Sequence, residues 1–204
     1  KLSVGIVGLP NVGKSTLFKI LTKQSVNIAN YPFCTIDPNI GIVSVSDQRL
    51  NKLAKMSCSE KIIPAVVEFY DIAGLVKGAS TGAGLGNKFL SYIKEVNVIV
   101  MVLRCFSDSE IIHVEQSIDP LRDLEIINTE LAIKDLETVN RRLEKVSAEA
   151  RGGHQEAVKE REILEQIRSA LNQNKLVSEW TEEPAVKNLN LLTNKKQIYL
   201  LNGQ

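Results

Sequence analysis

The apolar residues of this chain are gathered into short runs separated by glycine-rich or polar segments. The first run, Leu2 to Val7, is rich in β-branched residues and is followed by Gly8 and by a helix-like stretch from Ser15 to Lys23. Four further runs cover Ile40 to Val45, Ile63 to Tyr70, Val96 to Leu103 and Ile198 to Leu201. Because the runs are almost continuously apolar, they predict central strands of a mixed, mostly parallel sheet in an α/β fold.

A different pattern covers the region from about Leu121 to Leu176, where Glu, Lys, Arg and Ala dominate. Apolar residues recur there at spacings of three and four, and compatible spacing resumes after Gly152 and Gly153. The residues are Leu136, Val139, Leu143, Val146 and Ala150, then Ala157, Leu164, Ile167 and Leu171. Such spacing is typical of a coiled coil, and the glycines indicate a turn, so we expect an antiparallel helical hairpin. Two helices packed separately on the main core are the alternative.

Composition and charge narrow the class of protein. The chain has 204 residues, 44% of them hydrophobic, which suffices for one sizeable core with an appendage. Its 25 basic and 24 acidic residues leave a net charge of +1, which favours neither DNA nor a membrane as a partner. Cys34, Cys58 and Cys105 lack C-x-x-C spacing, so neither a disulfide framework nor a zinc site is indicated. We expect a cytoplasmic protein with reduced thiols.

The segment from Gly8 to Ser15 has the pattern G-x-x-x-x-G-K-S and lies between the first predicted strand and the first predicted helix. In such a loop, backbone N–H groups and the helix N-terminus surround the phosphates of a nucleotide. The predicted binding residues are Asn11, Val12, Gly13, Lys14, Ser15 and Thr16. Lys14 would also assist catalysis at the β- and γ-phosphates, and the Ser15 hydroxyl would bind Mg²⁺.

Two further segments match the switch regions of nucleotide-dependent switch proteins. Asp71 and Gly74 form a D-x-x-G motif at a predicted strand end, where Asp71 would hold Mg²⁺ through water and Gly74 would bring a backbone amide to the γ-phosphate during catalysis. Thr35 would complete the Mg²⁺ coordination, although a threonine that merely opens a strand is the alternative. The stretch 75–88 contains four glycines and is predicted to be mobile, without a stable helix or strand.

The motifs G-L-P-N-V-G-K-S-T, N-Y-P-F-C-T-I-D-P-N and D-I-A-G-L-V-K-G-A-S-T-G-A-G-L-G-N closely resemble the YchF family, the Obg-like ATPases. The resemblance implies a Ras-like P-loop domain, formed by 1–120 and 188–204, with an inserted coiled-coil hairpin at 121–187. It also implies a C-terminal TGS domain in full-length members. We expect this chain to be a fragment that ends before that domain.

The last residues bear on the choice of nucleotide. GTPases of this class recognise guanine with N-K-x-D, whereas YchF proteins resemble N-x-x-E and prefer ATP. This chain ends with Asn202, Gly203 and Gln204, so the lysine is absent and the acidic position is not included. Asn202 and Gly203 are predicted to contact the base. The resemblance implies ATP, and an Obg-type GTPase is the alternative.

The residue after Gly74 is Leu75, where Ras-like enzymes carry a glutamine that orients the attacking water. Intrinsic hydrolysis should therefore be slow. The resemblance implicates His113 in hydrolysis, since an imidazole can orient or deprotonate water; a histidine with a purely structural hydrogen bond is the alternative. Asn11 would coordinate K⁺ beside the phosphates, or its side chain would simply stabilise the loop.

The sequence thus predicts a Mg²⁺-dependent ATPase whose ATP and ADP states order or release two switch segments. The resemblance implies association with the ribosome, and we expect a monomer. Two functions of other classes use the same loop. A metabolic kinase would transfer phosphate to a small acceptor, and a binding module would retain nucleotide without turnover.

Overall fold

The computed structural model describes residues 2–22, 39–72, 85–108, 110–111, 113–175, 177–180 and 182–203. Its strands are β1 (Leu2–Val7), β2 (Ile40–Ser44), β3 (Val66–Asp71), β4 (Val98–Arg104) and β5 (Lys196–Asn202). Its α-helices are α1 (Lys14–Thr22), α2 (Gln48–Met56), α3 (Leu85–Glu95), α4 (Pro120–Arg151), α5 (Gln155–Asn172) and α6 (Pro184–Leu189). A short 3₁₀ turn covers Ser178–Trp180. Within these ranges, every helix is too short or too polar to cross a lipid bilayer.

The strands form one sheet in the order β2-β3-β1-β4-β5. β1 runs parallel to β3 and β4, β4 runs parallel to β5, and β2 is antiparallel to β3. The predicted mixed, mostly parallel sheet is therefore confirmed. Parallel strands end at the same edge of a sheet, so the C-terminal ends of β1, β3, β4 and β5 meet there. This edge carries the loop after β1, Asp71 and Asn202.

The apolar runs predict where the strands lie, but not every strand boundary or the burial of every strand. β1 and β4 are almost wholly buried, as continuous apolar runs suggest. The run that begins at Ile63 becomes a strand only at Val66, and Ile63 is exposed. β2 and β5 lie at the two edges of the described sheet, so their prediction as central strands is wrong. In β5, Tyr199 is 48% and Leu201 is 66% exposed.

Helices α4 and α5 form a helical hairpin joined by Gly152 and Gly153, and the predicted apolar positions lie between them. Arg142 and Glu160 connect the two helices through a bidentate ion pair of 2.7 and 2.8 Å. No residue of α5 belongs to the described core cluster of the sheet, which argues against two helices packed separately on that core.

Helix α4 contributes to two cores. Ile127 and Leu131 in its first turns are fully buried against the sheet, whereas Ala132 and the residues after it belong to the hairpin cluster. The packing therefore changes inside the helix, near 131–132. The sequence-based division between 120 and 121 assigns these sheet-packed turns to the insertion, because a continuous helix gives no sign of where its neighbours change.

Three α-helices, α2, α3 and α6, were not predicted. α3 begins at Leu85 and includes Gly86, so the prediction that 75–88 forms no helix is wrong for its last four residues. Leu90 and Ile93 are buried in the sheet core, and this packing outweighs the cost of about 1 kcal/mol for a glycine in a helix. α2 is capped by the Asp47 carboxylate, which accepts from the Arg49 N–H, and none of its residues is buried.

Candidate nucleotide-binding site

The loop from Gly8 to Ser15 is fixed closely against its neighbours. A β-carbon at Gly8 would lie 2.6 Å from the Val102 carbonyl oxygen of β4. Gly13 has a φ of +99°, and a β-carbon there would collide with the Asn202 side-chain amide. Both positions thus require glycine, one for close packing and the other for backbone conformation and packing together. Asn11 also has a positive φ, of 62°.

Lys14 begins helix α1 and is only 7% exposed. Its ammonium group donates to the Leu9 carbonyl oxygen at 2.7 Å, so the side chain folds back over the loop. Burial lowers the pKa of Lys14 to about 8, although the negative charge of Asp71 partly opposes this. A polyphosphate would be a stronger acceptor than a carbonyl group and would raise this pKa again.

The predicted magnesium ligands lie partly within the described residues. Ser15 follows Lys14 in α1 and is exposed, while Asp71 ends β3 beside Ile6 of β1. Because Ile6 lies two residues before Gly8, this pairing brings Asp71 beside the start of the loop, where its negative charge raises the pKa of Lys14. A hydroxyl and a carboxylate are hard oxygen donors that suit Mg²⁺. Thr35 and Gly74 lie outside the described residues.

Asn202 connects the end of β5 to the phosphate loop. Its side-chain amide donates to the Val12 carbonyl oxygen at 2.9 Å, and its own carbonyl accepts from the Cys105 N–H at 2.7 Å. A β-carbon at Gly203 would lie 2.9 Å from that of Cys105. Of the two predicted base-contacting residues, Asn202 thus contacts the phosphate loop and Gly203 packs against Cys105. The contact between Asn202 and Val12 is a structural one that sequence reasoning missed.

His113 is placed differently from what its predicted role requires. It is 6% exposed, its Nε2 lies 2.8 Å from Asp123 Oδ2, and its Nδ1 accepts from the Glu115 N–H at 3.1 Å. Both ring nitrogens therefore have protein partners. This matches the structural alternative for His113, and its catalytic role stays a prediction that requires the ring to leave Asp123.

Two buried polar residues near the site were not singled out from the sequence. Arg104, at the end of β4, is 1% exposed, donates to the carbonyls of Phe106 and Asp108, and stacks 4.4 Å from the Phe106 ring centroid. It holds the start of the loop that leads to His113. Asp123 anchors the end of that loop. The sequence contains only one sign of these roles, the position of Arg104 at the end of an apolar run. The burial of Arg104 and Asp123 depends on the fold and cannot be read from neighbouring residues.

Three features define a P-loop nucleoside-triphosphate-binding domain. They are the loop with its two tightly packed glycines, the buried Lys14, and Asp71 at the end of β3. Residues 3–145 match the family described as 50S ribosome-binding GTPase. The chain belongs to this family and, within it, to the YchF proteins.

Individual relatives agree with this assignment. The ribosome-binding ATPase YchF of Bacillus subtilis is 52% identical over 205 residues, covering 98% of this chain and 56% of the relative. The protein of the same name from Haemophilus influenzae is 48% identical and covers 97% of this chain. The solved structure of the Schizosaccharomyces pombe YchF GTPase has a TM-score of 0.80, 44% identity and full coverage of this chain. The chain spans little more than half the length of these relatives.

Proposed function

We propose that this chain is the nucleotide-binding part of a Mg²⁺-dependent ATPase that hydrolyses ATP slowly and acts as a switch on the ribosome. The observation that carries the proposal is the meeting of the phosphate loop, Asp71 and Asn202 at one edge of the sheet. The names of the relatives, as ribosome-binding ATPases, support both the nucleotide and the partner.

The phosphate loop and the predicted magnesium ligands have distinct roles in this proposal. The backbone N–H groups from Asn11 to Thr16 and the positive end of α1 bind the phosphates. Lys14 exchanges the Leu9 carbonyl for phosphate oxygens and so brings its charge to the β- and γ-positions. Ser15, Asp71 and Thr35 would hold Mg²⁺, which when bound neutralises charge on the phosphates.

Slow hydrolysis is proposed because Leu75 replaces the water-orienting glutamine. Gly74 supplies a backbone amide to the γ-phosphate, and His113 orients or deprotonates the water after it is released from Asp123. K⁺ beside Asn11 would add positive charge. Equal ATP turnover in matched KCl and NaCl would remove the potassium role.

ATP is proposed as the preferred nucleotide, with GTP as the alternative because one relative is titled a GTPase. A chain extended beyond Gln204 should bind ATP more tightly than GTP in a competition assay. The hairpin, within the proposed insertion 121–187, is the natural contact surface for the ribosome, since α4 and α5 project exposed charges from a packed apolar interior.

The loop's role is tested with Lys14→Ala, with Lys19→Ala as the matched control because Lys19 is exposed on the same helix. Binding of a fluorescent ATP analogue should weaken about 100-fold for Lys14→Ala, equal to about 2.7 kcal/mol, and stay unchanged for the control. Retained binding in Lys14→Ala would contradict the proposal. Single-turnover hydrolysis then separates an ATPase from a binding module, and an acceptor-dependent burst of ADP would indicate a kinase.

A further inference from the structure

The loop between β4 and α4 is joined to the start of α4 by a cluster of hydrogen-bonding groups, here named the His113 latch: the buried His113 and Asp123 with the half-buried Glu115 and Arg122. His113 and Asp123 are 6% and 1% exposed. The ring Nε2 lies 2.8 Å from Asp123 Oδ2, and the Glu115 N–H donates to Nδ1 at 3.1 Å. The imidazole ring is therefore held by one side chain and one backbone group, and the His113 carbonyl also accepts from the Gln116 N–H at 3.0 Å.

These contacts fix the tautomer of the ring. A backbone N–H can only donate, so Nδ1 must present its lone pair to Glu115. Nε2 then carries the proton and donates it to the Asp123 carboxylate. In this arrangement neither ring nitrogen has a free lone pair that could accept a proton from water.

The carboxylate is anchored more firmly than the ring. The backbone N–H of Asp123 lies in the first turn of α4 and donates to the Asp119 carbonyl at 3.0 Å. Its Oδ1 accepts from Arg122 at 3.2 Å, and Arg122 also donates to the carbonyl and hydroxyl oxygens of Ser117 at 2.6 Å each. His113 lies in the loop instead, so the His113–Asp123 bond can open while the helix keeps its other contacts.

The loop begins close to the phosphate-binding edge. β4 ends at Arg104, beside Asn202, and the Cys105 N–H donates to the Asn202 carbonyl at 2.7 Å. A histidine nine residues beyond this point has enough chain to reach the site, since an extended residue spans about 3.3 Å. The latch thus lies between the end of β4 and the first turn of α4.

We propose that Asp123 is a positioning residue that holds His113 in a resting arrangement, so that only molecules in which this bond has opened hydrolyse ATP. The proposal rests on the proposed function, because it assumes that His113 serves hydrolysis. A carboxylate that orients a catalytic histidine, as in a catalytic triad, leaves the other ring nitrogen facing the reacting group. Here that nitrogen is bound to Glu115 and the ring is buried.

The test compares ATP turnover of the unchanged chain with that of Asp123→Asn. The substitution keeps the shape but replaces a charge-assisted hydrogen bond with a weaker neutral one. We expect kcat to rise about tenfold, equal to about 1.4 kcal/mol, with KM unchanged. Asp119→Asn is the matched control, because it makes the same charge change four residues away and asparagine caps a helix equally well. Its kcat should not change.

Two variants separate failure of the latch from failure of the proposed function. If His113→Ala hydrolyses ATP as fast as the unchanged chain, the proposed role of His113 fails. If His113→Ala is slow but Asp123→Asn is unchanged or slower, the latch is overturned while the function stands. In the double variant His113→Ala with Asp123→Asn, kcat should be no higher than in His113→Ala alone, because the imidazole that Asp123→Asn would release is missing.

A measurement without any substitution in the latch covers the case in which Asp123→Asn does not fold. The chain has two histidines, so their imidazole ¹⁵N signals are easily resolved, and His154→Gln assigns the second. We expect His113 to carry its proton on Nε2 in the nucleotide-free protein. Protonation on Nδ1 would overturn the latch, since the Asp123 and Glu115 contacts could not then exist together.

Discussion

The contact between Asp135 and the segment before β5 gives the sharpest prediction about stability. Asp135 lies in α4, is fully buried, and accepts three hydrogen bonds of 2.8 Å, from the Leu192 N–H, the Thr193 N–H and the Thr193 hydroxyl. Burial raises the pKa of Asp135 even though these three bonds and the charge of Lys94 oppose the shift. The carboxylate therefore joins the base of the hairpin to the chain that enters the sheet.

Asp135→Ala removes both acceptor oxygens and leaves the three donors buried without them. Each unpaired buried donor lowers stability by about 1 to 3 kcal/mol. Removal of a buried charge and entry of water offset part of the total loss for the three donors. We expect the free energy of unfolding to fall by about 3 to 5 kcal/mol. With a urea m-value of about 2 kcal/mol/M, the unfolding midpoint should fall by about 2 M.

The assay is urea unfolding followed by circular dichroism, with two comparison variants. Asp135→Asn keeps one acceptor oxygen but turns its NH₂ group, itself a donor, toward a backbone N–H. Its loss in free energy of unfolding should therefore lie between zero and the loss for Asp135→Ala. Glu137→Ala, on the same helix but exposed, should change the unfolding free energy by less than about 0.5 kcal/mol. A loss below about 1 kcal/mol for Asp135→Ala, at unchanged m-value, would refute the reasoning.

Three other predictions concern the phosphate loop and the core of the hairpin. Because burial holds the pKa of Lys14 at about 8 and phosphate binding requires its charged form, ATP affinity measured by calorimetry should fall about fivefold from pH 8 to pH 9, as the charged fraction of Lys14 falls from about one half to about one tenth. No loss would show that the ammonium is not needed. Gly13→Ala should lower the free energy of unfolding by about 1 to 3 kcal/mol and weaken ATP binding. Gly153→Ala is the control: its φ is +83° but a β-carbon there would meet open space, so backbone strain alone should lower the free energy of unfolding by about 1 kcal/mol. Equal losses for the two variants would contradict the collision with Asn202. Leu164 is fully buried in the hairpin, so Leu164→Ala should lower the free energy of unfolding, measured in urea, by about 2 to 5 kcal/mol. Leu53 is exposed, so Leu53→Ala should leave it almost unchanged.

Local chemistry explains why much of this fold was predictable. An apolar β-branched run, a G-x-x-x-x-G-K-S segment and a helix-like stretch occur in immediate succession, and the structure has β1, the loop and α1 at nearly the same bounds. The hairpin was equally visible, because its apolar spacing persists through two helices. Each of these signals lies within a few neighbouring residues.

Contacts between distant segments were not predictable in the same way. Asn202 and Val12 are 190 positions apart, and no pattern near either residue indicates that the asparagine amide binds a loop carbonyl. His113 was recognised as a residue with catalytic chemistry, but its bond to Asp123 depends on how the loop folds against α4. Helix α3 likewise begins inside a glycine-rich stretch because core packing outweighs local propensity.

Strand β5 shows how these long-range contacts bear on the site. Just before it begins, Thr193 is bound by Asp135 of the hairpin helix, and Lys195 donates to the Lys94 and Val96 carbonyls. At its end, Asn202 is bound to Val12 of the phosphate loop. The position of Asn202 therefore depends on contacts at both ends of β5. The predicted base-contacting residue Asn202 is therefore held by contacts to the hairpin as well as to the sheet, and the two regions share one strand instead of being independent parts.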